Sequence, residues 1–417
     1  MKHSIQQGSL LDMPALERKE VKPSQPVTEK KMSRLEELIA ELCPNGVEYR
    51  KLSDICGTIT TGRLNANAMV ENGKYPFFTC DENPFRIDTY AFDTTAILIS
   101  GNGSQIGHLN FYSGKFNAYQ RTYVLYDFSD INPSYLFHYA KAYLRSHILK
   151  YAKKGSVPYI TMPMLEGFLV PVPPLPVQEE IVRILDNFAE LTAELTAELT
   201  KRKQQYQYYC DKLLCYDKNN NKFPTVKVGD IATFTYGYTE KAKDTGSARF
   251  IRITDITENG CLNPYDAKFV DLTKENERYL LKEGDILMAR TGATYGKTLY
   301  IPNNEPAIYA SFLIKISLNN SKVINRFYWH FAQSTMYWQQ ADNLASKGGQ
   351  PQFNSNVLCK VLLPLPPLEE QKRIVAILDR FDALCNDLTS GLPAEIEARK
   401  KQYEYYRDKL LTFKEAV

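Results

Sequence analysis

The stretch PVPPLPVQEEIVRILDNFAEL, Pro171–Leu191, returns as PLPPLEEQKRIVAILDRFDAL, Pro364–Leu384, 193 positions later. RKQQYQYYCDKLL (Arg202–Leu214) likewise returns as RKKQYEYYRDKLL (Arg399–Leu411), at an offset of 197. Each copy opens on a proline run, which ends the preceding element and starts a helix. Apolar residues then recur at three- and four-residue steps: Ile181, Ile184, Phe188 and Leu191, against Ile374, Ile377, Phe381 and Leu384. That spacing puts them on one helical face. Tyr206, Tyr209 and Leu213, matched by Tyr403, Tyr406 and Leu410, continue the stripe. Two long amphipathic helices of one design are expected. Each is the natural partner of the other in an antiparallel coiled coil; packing of each on its own globule is the alternative.

The first copy contains a stamp. Thr192, Ala193, Glu194 and Leu195 are followed by the same four residues, Thr196, Ala197, Glu198 and Leu199. A core helix needs irregular side chains to fit its neighbours, so a plain repeat reads as a length of helix, a spacer that sets distance. Leu191, Leu195 and Leu199 would keep the seam apolar. The second copy departs from the first: Leu384 to Arg399 spans 15 residues where Leu191 to Arg202 spans 11. It also contains SGLPAE (390–395), whose Gly391 and Pro393 are expected to break or kink the helix.

The segments before each helix echo one another more faintly. AILISGNGSQIG (Ala96–Gly107) aligns with DILMARTGATYG (Asp285–Gly296), and KGSVPYITMPMLEGFLVPVPPL (Lys154–Leu175) with KGGQPQFNSNVLCKVLLPLPPL (Lys347–Leu368). Both mix short β-rich runs (Thr95–Ser100, Thr122–Tyr126, Asp285–Ala289, Phe312–Ile316) with helical stretches (Pro133–Tyr151, Ile324–Leu344). The expected fold is α+β: two globular mixed α/β domains joined by two long helices forming an antiparallel coiled coil, with a pseudo-twofold internal duplication. Residues 1–31 read as a flexible extension and 32–170 as an N-terminal helix and first globule. Residues 171–219 form the first spacer helix, 220–363 the second globule and 364–417 the second spacer helix. Ser33 and Glu36 have the spacing of a capping box, so folded structure is expected to start there.

Composition is that of a soluble globular chain, with 44% apolar and 24% charged residues in 417. No apolar run approaches a membrane span of about eighteen residues, and the N-terminus lacks a signal-peptide layout; a cytoplasmic protein with no membrane partner is expected. Eight cysteines without a C-x-x-C pair point to free thiols rather than a zinc site or disulfide framework. Net charge is +3, but it is uneven: +2 over 43–170 and +4 over 220–363, against −2 over 171–219 and −1 over 364–417. A polyanion would favour the globules over the helices.

Several chemical motifs nearly match and fail. TGATYGKT (Thr291–Thr298) has three residues, not four, between Gly292 and Gly296, so it is no phosphate-binding loop. GNGSQIG (Gly101–Gly107) leads into a strand-like run and not the helix of a dinucleotide site; a turn shared by both globules, or a polar hairpin presented to DNA, explains both loops. NPSY (Asn132–Tyr135) reads as a helix start. No catalytic His, Ser or paired-carboxylate constellation is legible. No enzymatic activity, metal or cofactor is expected of the chain itself.

Two unlike globules, each followed by a Pro-rich entry into a repeated helix ending Tyr-x-Tyr-Tyr-x-Asp-Lys-Leu-Leu, resemble the specificity subunit of type I restriction–modification systems. The Thr-Ala-Glu-Leu stamp resembles the IC branch of that family. The resemblance covers about residues 32–417. It implies that each globule is a target recognition domain reading one half of a split sequence in double-stranded DNA. The helices would hold the two domains apart and dock two methyltransferase subunits. Those partners would carry S-adenosylmethionine and methylate adenine, and restriction motor subunits would join through them.

A half-site needs paired polar side chains in a groove and cations on phosphates. In the first globule the loops that offer them supply Arg63, Asn65 and Asn67; Asn102, Ser104 and Gln105; and Lys153, Lys154, Ser156 and Tyr159. In the second they supply Tyr236, Tyr238, Lys241 and Lys243; Arg290, Thr291, Thr294, Tyr295 and Lys297; and Lys347, Gln350, Gln352 and Asn354. Because the loop chemistries differ, the target is expected to be asymmetric. Two other readings stay open on the residues alone: a stand-alone DNA methyltransferase, which would bind the methyl donor unaided, and a coiled-coil adaptor that does not touch DNA.

Overall fold

The computed structural model describes residues 33–151, 159–214, 223–346, 351–387 and 390–416. The chain divides into two compact units, one running to Val182 and taking in the C-terminal residues from Leu411, the other Arg183–Leu410.

The first unit opens with α1 (Arg34–Leu42), whose Ser33 and Glu36 form the expected capping box. Then come β1 (Tyr49–Lys51), the single turn α2 (Leu52–Ile55), β2 (Cys56–Thr61), β3 (Tyr75–Phe78), β4 (Phe85–Ile87), β5 (Phe92–Ser100), β6 (Leu109–Ala118) and β7 (Thr122–Phe128). Helix α3 (Pro133–Tyr151), the short α4 (Met162–Glu166), β8 (Leu169–Pro171) and the start of α5 (Leu175–Leu214) complete it. Strands β2 to β7 form one sheet in the order β2-β7-β5-β6-β3-β4, antiparallel except for β3 on β6. Phe78, Ala96, Leu98, Phe116, Ala118 and Val124 form the apolar cluster on it. The residues after Leu411, expected as helix, instead return to this unit. Val47 donates to Lys414 O (2.8 Å), and Ala416 donates back to Val47 O (3.0 Å).

The second unit contains β9 (Thr225–Lys227), β10 (Ala232–Tyr236), β11 (Ala248–Ile251), β12 (Phe269–Val270), β13 (Ile286–Ala289), β14 (Thr298–Tyr300), β15 (Ala307–Tyr309) and β16 (Leu313–Leu318). Helices α6 (Asn325–Phe331), α7 (Thr335–Leu344) and α8 (Ser355–Leu358), strand β17 (Leu362–Pro364), and the paired helices α9 (Leu368–Asn386) and α10 (Leu392–Leu410) follow. The strand orders β10-β16-β13-β14 and β12-β11-β15, with β11 parallel to β15, repeat the first unit's sheet in two pieces. The helix expected over 324–344 is two. Ser334 bonds Phe331 O (2.7 Å) and accepts from Tyr337 N (3.3 Å), so its hydroxyl ends one helix and caps the next.

A buried glutamine pins each repeat. Gln178 accepts from Asn132 N (2.7 Å) and donates to Asp130 O (3.1 Å) and Pro173 O (2.6 Å). Gln371, 193 positions on, accepts from Ile324 N (2.9 Å) and donates to Lys322 O (2.8 Å) and Pro366 O (2.9 Å). Both are fully buried. Each closes the turn before a globular helix onto the proline entry of a spacer helix.

In the second unit the two spacer helices meet in two aromatic stacks. Phe188 lies on Tyr406 (centroids 5.5 Å, 20° between planes) and Tyr209 on Phe381 (5.2 Å, 24°). Phe188 corresponds to Phe381 in the repeat, and Tyr209 to Tyr406. The stacks are therefore the same pair taken in opposite order, the signature of antiparallel helices. Helix α5 runs unbroken for 40 residues. Its counterpart is divided between α9 and α10, and a Cβ at Gly391 would lie 2.6 Å from Ala383 O.

Within the stamp, Thr192 Oγ1 donates to Phe188 O (2.8 Å), Thr196 Oγ1 to Thr192 O (2.8 Å), and Thr200 Oγ1 to Thr196 O (3.0 Å). Leu195 and Leu199 are half-buried, whereas Leu191, expected in the seam, is 40% exposed. The stamp's threonine hydroxyls are thus satisfied along the helix itself, and its Glu198 accepts from Arg202 Nε one turn on (2.7 Å).

The second globule is tied to its spacer helices by a polar cluster. Arg326 bonds Asp379 (2.7 Å) and Asp382 (2.6 Å), while His330 bonds Asp379 (2.7 Å) and Tyr206 (3.0 Å). Burial holds the His330 imidazole below its ordinary range, hence neutral.

Removing the glutamine pin exposes its value. Gln371→Leu leaves one N–H and two carbonyls without their partner and is expected to cost about 2–4 kcal/mol. Gln178→Leu should cost the same, and urea unfolding of the purified chain reads both.

Candidate nucleic-acid interface

Three loops converge at the same end of the sheet in both units, and their backbone bonds recur one for one. In the first, Gly62 N donates to Thr122 O (3.2 Å), Gly101 N to Arg121 O (2.9 Å), and Ile160 N to Gly101 O (2.8 Å). In the second, Gly237 N donates to Leu313 O (3.1 Å), Arg290 N to Phe312 O (3.1 Å), and Phe353 N to Arg290 O (2.8 Å). Bridges Asn102–Tyr159 and Thr291–Gln352 close the pair of outer loops in each, and Leu64–Tyr119 and Tyr238–Ala310 close the inner one. The described parts of the candidate loops are therefore brought to one end of the sheet in each unit.

The loop tips share their geometry. Gly103 (φ +83°) and Gly292 (φ +72°) occupy the left-handed region with open space around them, and Gly107 (φ +77°) and Gly296 (φ +79°) repeat it four residues on. The near-miss motifs are thus one structural turn. TGATYGKT forms a short 3-10 turn and leads into β14, not into a helix. Asn132 begins α3, its Oδ1 accepting from Ser134 N at 2.9 Å.

In the first unit Arg63, Asn65 and Asn67 are exposed around a short turn after β2; Ser104, Gln105 and Tyr159 are exposed, and Asn102 is half-buried. Lys153, Lys154 and Ser156 lie outside the described residues, as do Lys347 and Gln350. In the second unit Lys241 and Gln352 are exposed, and Lys297, Thr291 and Thr294 are half-buried. Other side chains are engaged within the fold. Lys243 is ion-paired with Asp271 (2.8 Å), and Tyr238 packs on Tyr279 (5.4 Å). The Tyr295 hydroxyl bonds Asp342 (2.6 Å), and Asn354 Oδ1 caps α8 through Val357 N (3.2 Å).

The inner face of each loop cluster also holds Arg121 and Phe312, which the sequence alone does not single out. A cavity of about 290 Å³ in the first unit is lined by Thr61, Gly101, Gln120, Arg121, Tyr123 and Ile160. In the second unit the matching positions are held by larger side chains. The Arg290 guanidinium lies 5.4 Å from the ring centroids of both Tyr236 and Phe312, and its Nε donates to Ser311 O (3.1 Å). The Tyr236 hydroxyl is held by Ser355 Oγ (2.9 Å). Arg121 and Phe312 sit in β-turns without a motif, and only the repeat register could have singled them out.

Each unit thus carries a sheet whose end is crowned by the same loop framework, and the framework is duplicated along the chain. The family described as "Type I restriction modification DNA specificity domain" matches residues 44–202 and again 220–398, and the chain belongs to it. It is 29% identical over 381 residues to a Haemophilus influenzae protein described as a type I restriction enzyme specificity subunit, covering 88% of this chain and 96% of that one. With the specificity subunit of the Escherichia coli EcoR124I/EcoR124II type I restriction enzyme it shares 36% over 263 residues, covering 57% of this chain and 60% of that one. The fold is similar to a crystal structure of a type I restriction–modification S subunit from M. genitalium. The TM-score is 0.58 at 15% identity, over 88% of this chain and 96% of that one. Among the described residues, no helix is long and apolar enough to cross a membrane.

Proposed function

We propose that the chain is the non-catalytic reader of a cytoplasmic type I restriction–modification complex, in which each loop cluster reads one half of an asymmetric, split DNA target. The observation that supports this most is the recurrence of one backbone framework with unlike side chains on it. A duplicated scaffold gives two readers, and different loop residues give different half-sites. The paired helices set the unread gap, with the Thr-Ala-Glu-Leu stamp of the IC-like branch as the adjustable length, and they dock two methyltransferase subunits. Those partners supply S-adenosylmethionine and the methylation chemistry, and restriction subunits join through them.

Co-expression with the cognate methyltransferase subunit, followed by genome-wide mapping of methylated adenines, tests this reading. One motif of two unlike half-sites separated by unread bases is expected. A symmetric motif, or a contiguous one, would contradict it. Purified chain that binds S-adenosylmethionine without a partner would favour a stand-alone methyltransferase instead.

The lysines provide a further check. Lys241 is exposed, whereas Lys243 already has Asp271 as its counter-ion. Lys241→Glu should lower the slope of log K against log salt for DNA binding by about 1, and Lys243→Glu should change it less. Filter binding of the assembled complex at several salt concentrations reads both.

A further inference from the structure

The register between the two units aligns three positions around the loop cluster. Thr61, opposite Tyr123 on β7, matches Tyr236, opposite Ile314 on β16. Gly101, bonded to Arg121 O, matches Arg290, bonded to Phe312 O. Arg121 accordingly matches Phe312. The same cleft is lined by Thr, Gly and Arg in one unit, and is occupied by an arginine between two aromatic rings in the other.

We propose that this cleft is the specificity determinant of each domain, and that Arg290 reads a guanine of the second half-site through its N7 and O6. The inference rests on the proposed reading of DNA by these loops. Three features separate Arg290 from a lysine or arginine that merely neutralises phosphate. Its guanidinium lies over the rings of both Tyr236 and Phe312, 5.4 Å from each centroid, which holds it in place from two sides of the cleft. Its Nε is tied to Ser311 O, which fixes the direction of the fork. Among the described residues nothing takes up its two terminal nitrogens, so they are the groups left to bond a ligand.

A phosphate needs a nearby positive charge and not a rigid fork. A base edge needs two parallel donors held in a plane, and guanine alone presents two adjacent acceptors in the major groove. Phe312 is 51% exposed although its ring supports the arginine. An aromatic surface left open beside a clamped arginine is the composition of an interface hot spot. In the first unit Gly101 has no side chain, and a Cβ there would lie 2.3 Å from Arg121 O. Its arginine comes from the β6–β7 turn instead, so the two clefts aim their cations from different sides. Unlike half-sites follow from that difference.

The test uses the complex of the full chain with its methyltransferase subunits and duplexes carrying its mapped target. Each guanine of the target is replaced in turn by 7-deazaguanine, which lacks the N7 acceptor but pairs normally. The expected result is one guanine, in one half-site, whose replacement weakens wild-type binding about ten- to a hundredfold and has no further effect in Arg290→Gln. Absence of any such guanine with the wild-type complex overturns the proposal without a variant. Sensitivity that persists undiminished in Arg290→Gln overturns it too. If Arg290→Gln does not assemble, Arg290→Lys decides. Retention of charge with loss of the guanine preference supports base reading, and an unchanged preference overturns it. A complex with no sequence preference at all would instead bring down the proposed function.

Discussion

Two aromatic stacks in the second unit, Phe188 on Tyr406 and Tyr209 on Phe381, are the contacts on which the architecture turns. Each is worth roughly 0.5–1.5 kcal/mol beyond its buried area, which is modest. Their weight lies in direction. Because each stack joins a residue from the start of one repeat helix to one from the end of the other, the pairing is satisfied only when the helices run antiparallel. A parallel arrangement of the same sequences would bring phenylalanine to phenylalanine at one end and tyrosine to tyrosine at the other. The internal duplication thus contains its own instruction for pseudo-twofold pairing.

Symmetry ends where the chemistry begins. The buried glutamines, the strand order and the backbone bonds of the loops are shared, because they carry the scaffold. The residues facing the clefts are not shared: Thr61, Gly101 and Arg121 in the first unit stand where Tyr236, Arg290 and Phe312 stand in the second. Helix α5 also differs from its partner. Its threonine hydroxyls bond the carbonyls four residues back, each repeat unit on the previous one. Its hydroxyl bonds repeat at every turn, so this part of the bonding pattern is the same in each unit. The other arm has no such stamp and is divided between α9 and α10, with Gly391 packed against Ala383 O at the break.

Much of this was legible in the sequence. The duplicated helices, the capping box at Ser33, the helix from Pro133 to Tyr151 and the break at SGLPAE all follow from local rules of period, cap and proline. Three features did not follow. The separation of α6 from α7 depends on the Ser334 hydroxyl, which weighs little against an apolar run on either side. The return of the C-terminal residues to Val47 is a contact across almost the whole chain. The engagement of Lys243 by Asp271 and of Tyr295 by Asp342 joins residues 28 and 47 positions apart, which no window around either loop contains. The clefts were hidden for a related reason: each gathers residues from separate segments of the chain, and only the strand register brings Arg121 beside Gly101 or Phe312 beside Arg290.

The central claim is that the helix carrying the stamp measures the unread gap, while the loop clusters do the reading. The direct measurement is the methylated motif of a complex whose chain lacks Thr192–Leu195. Removing four residues shortens the helix by roughly 6 Å and turns its far end by about 40°, while a base pair rises about 3.4 Å. The account predicts both half-sites unchanged and the gap between them shorter by one or two base pairs. Altered half-sites with an unchanged gap would contradict it.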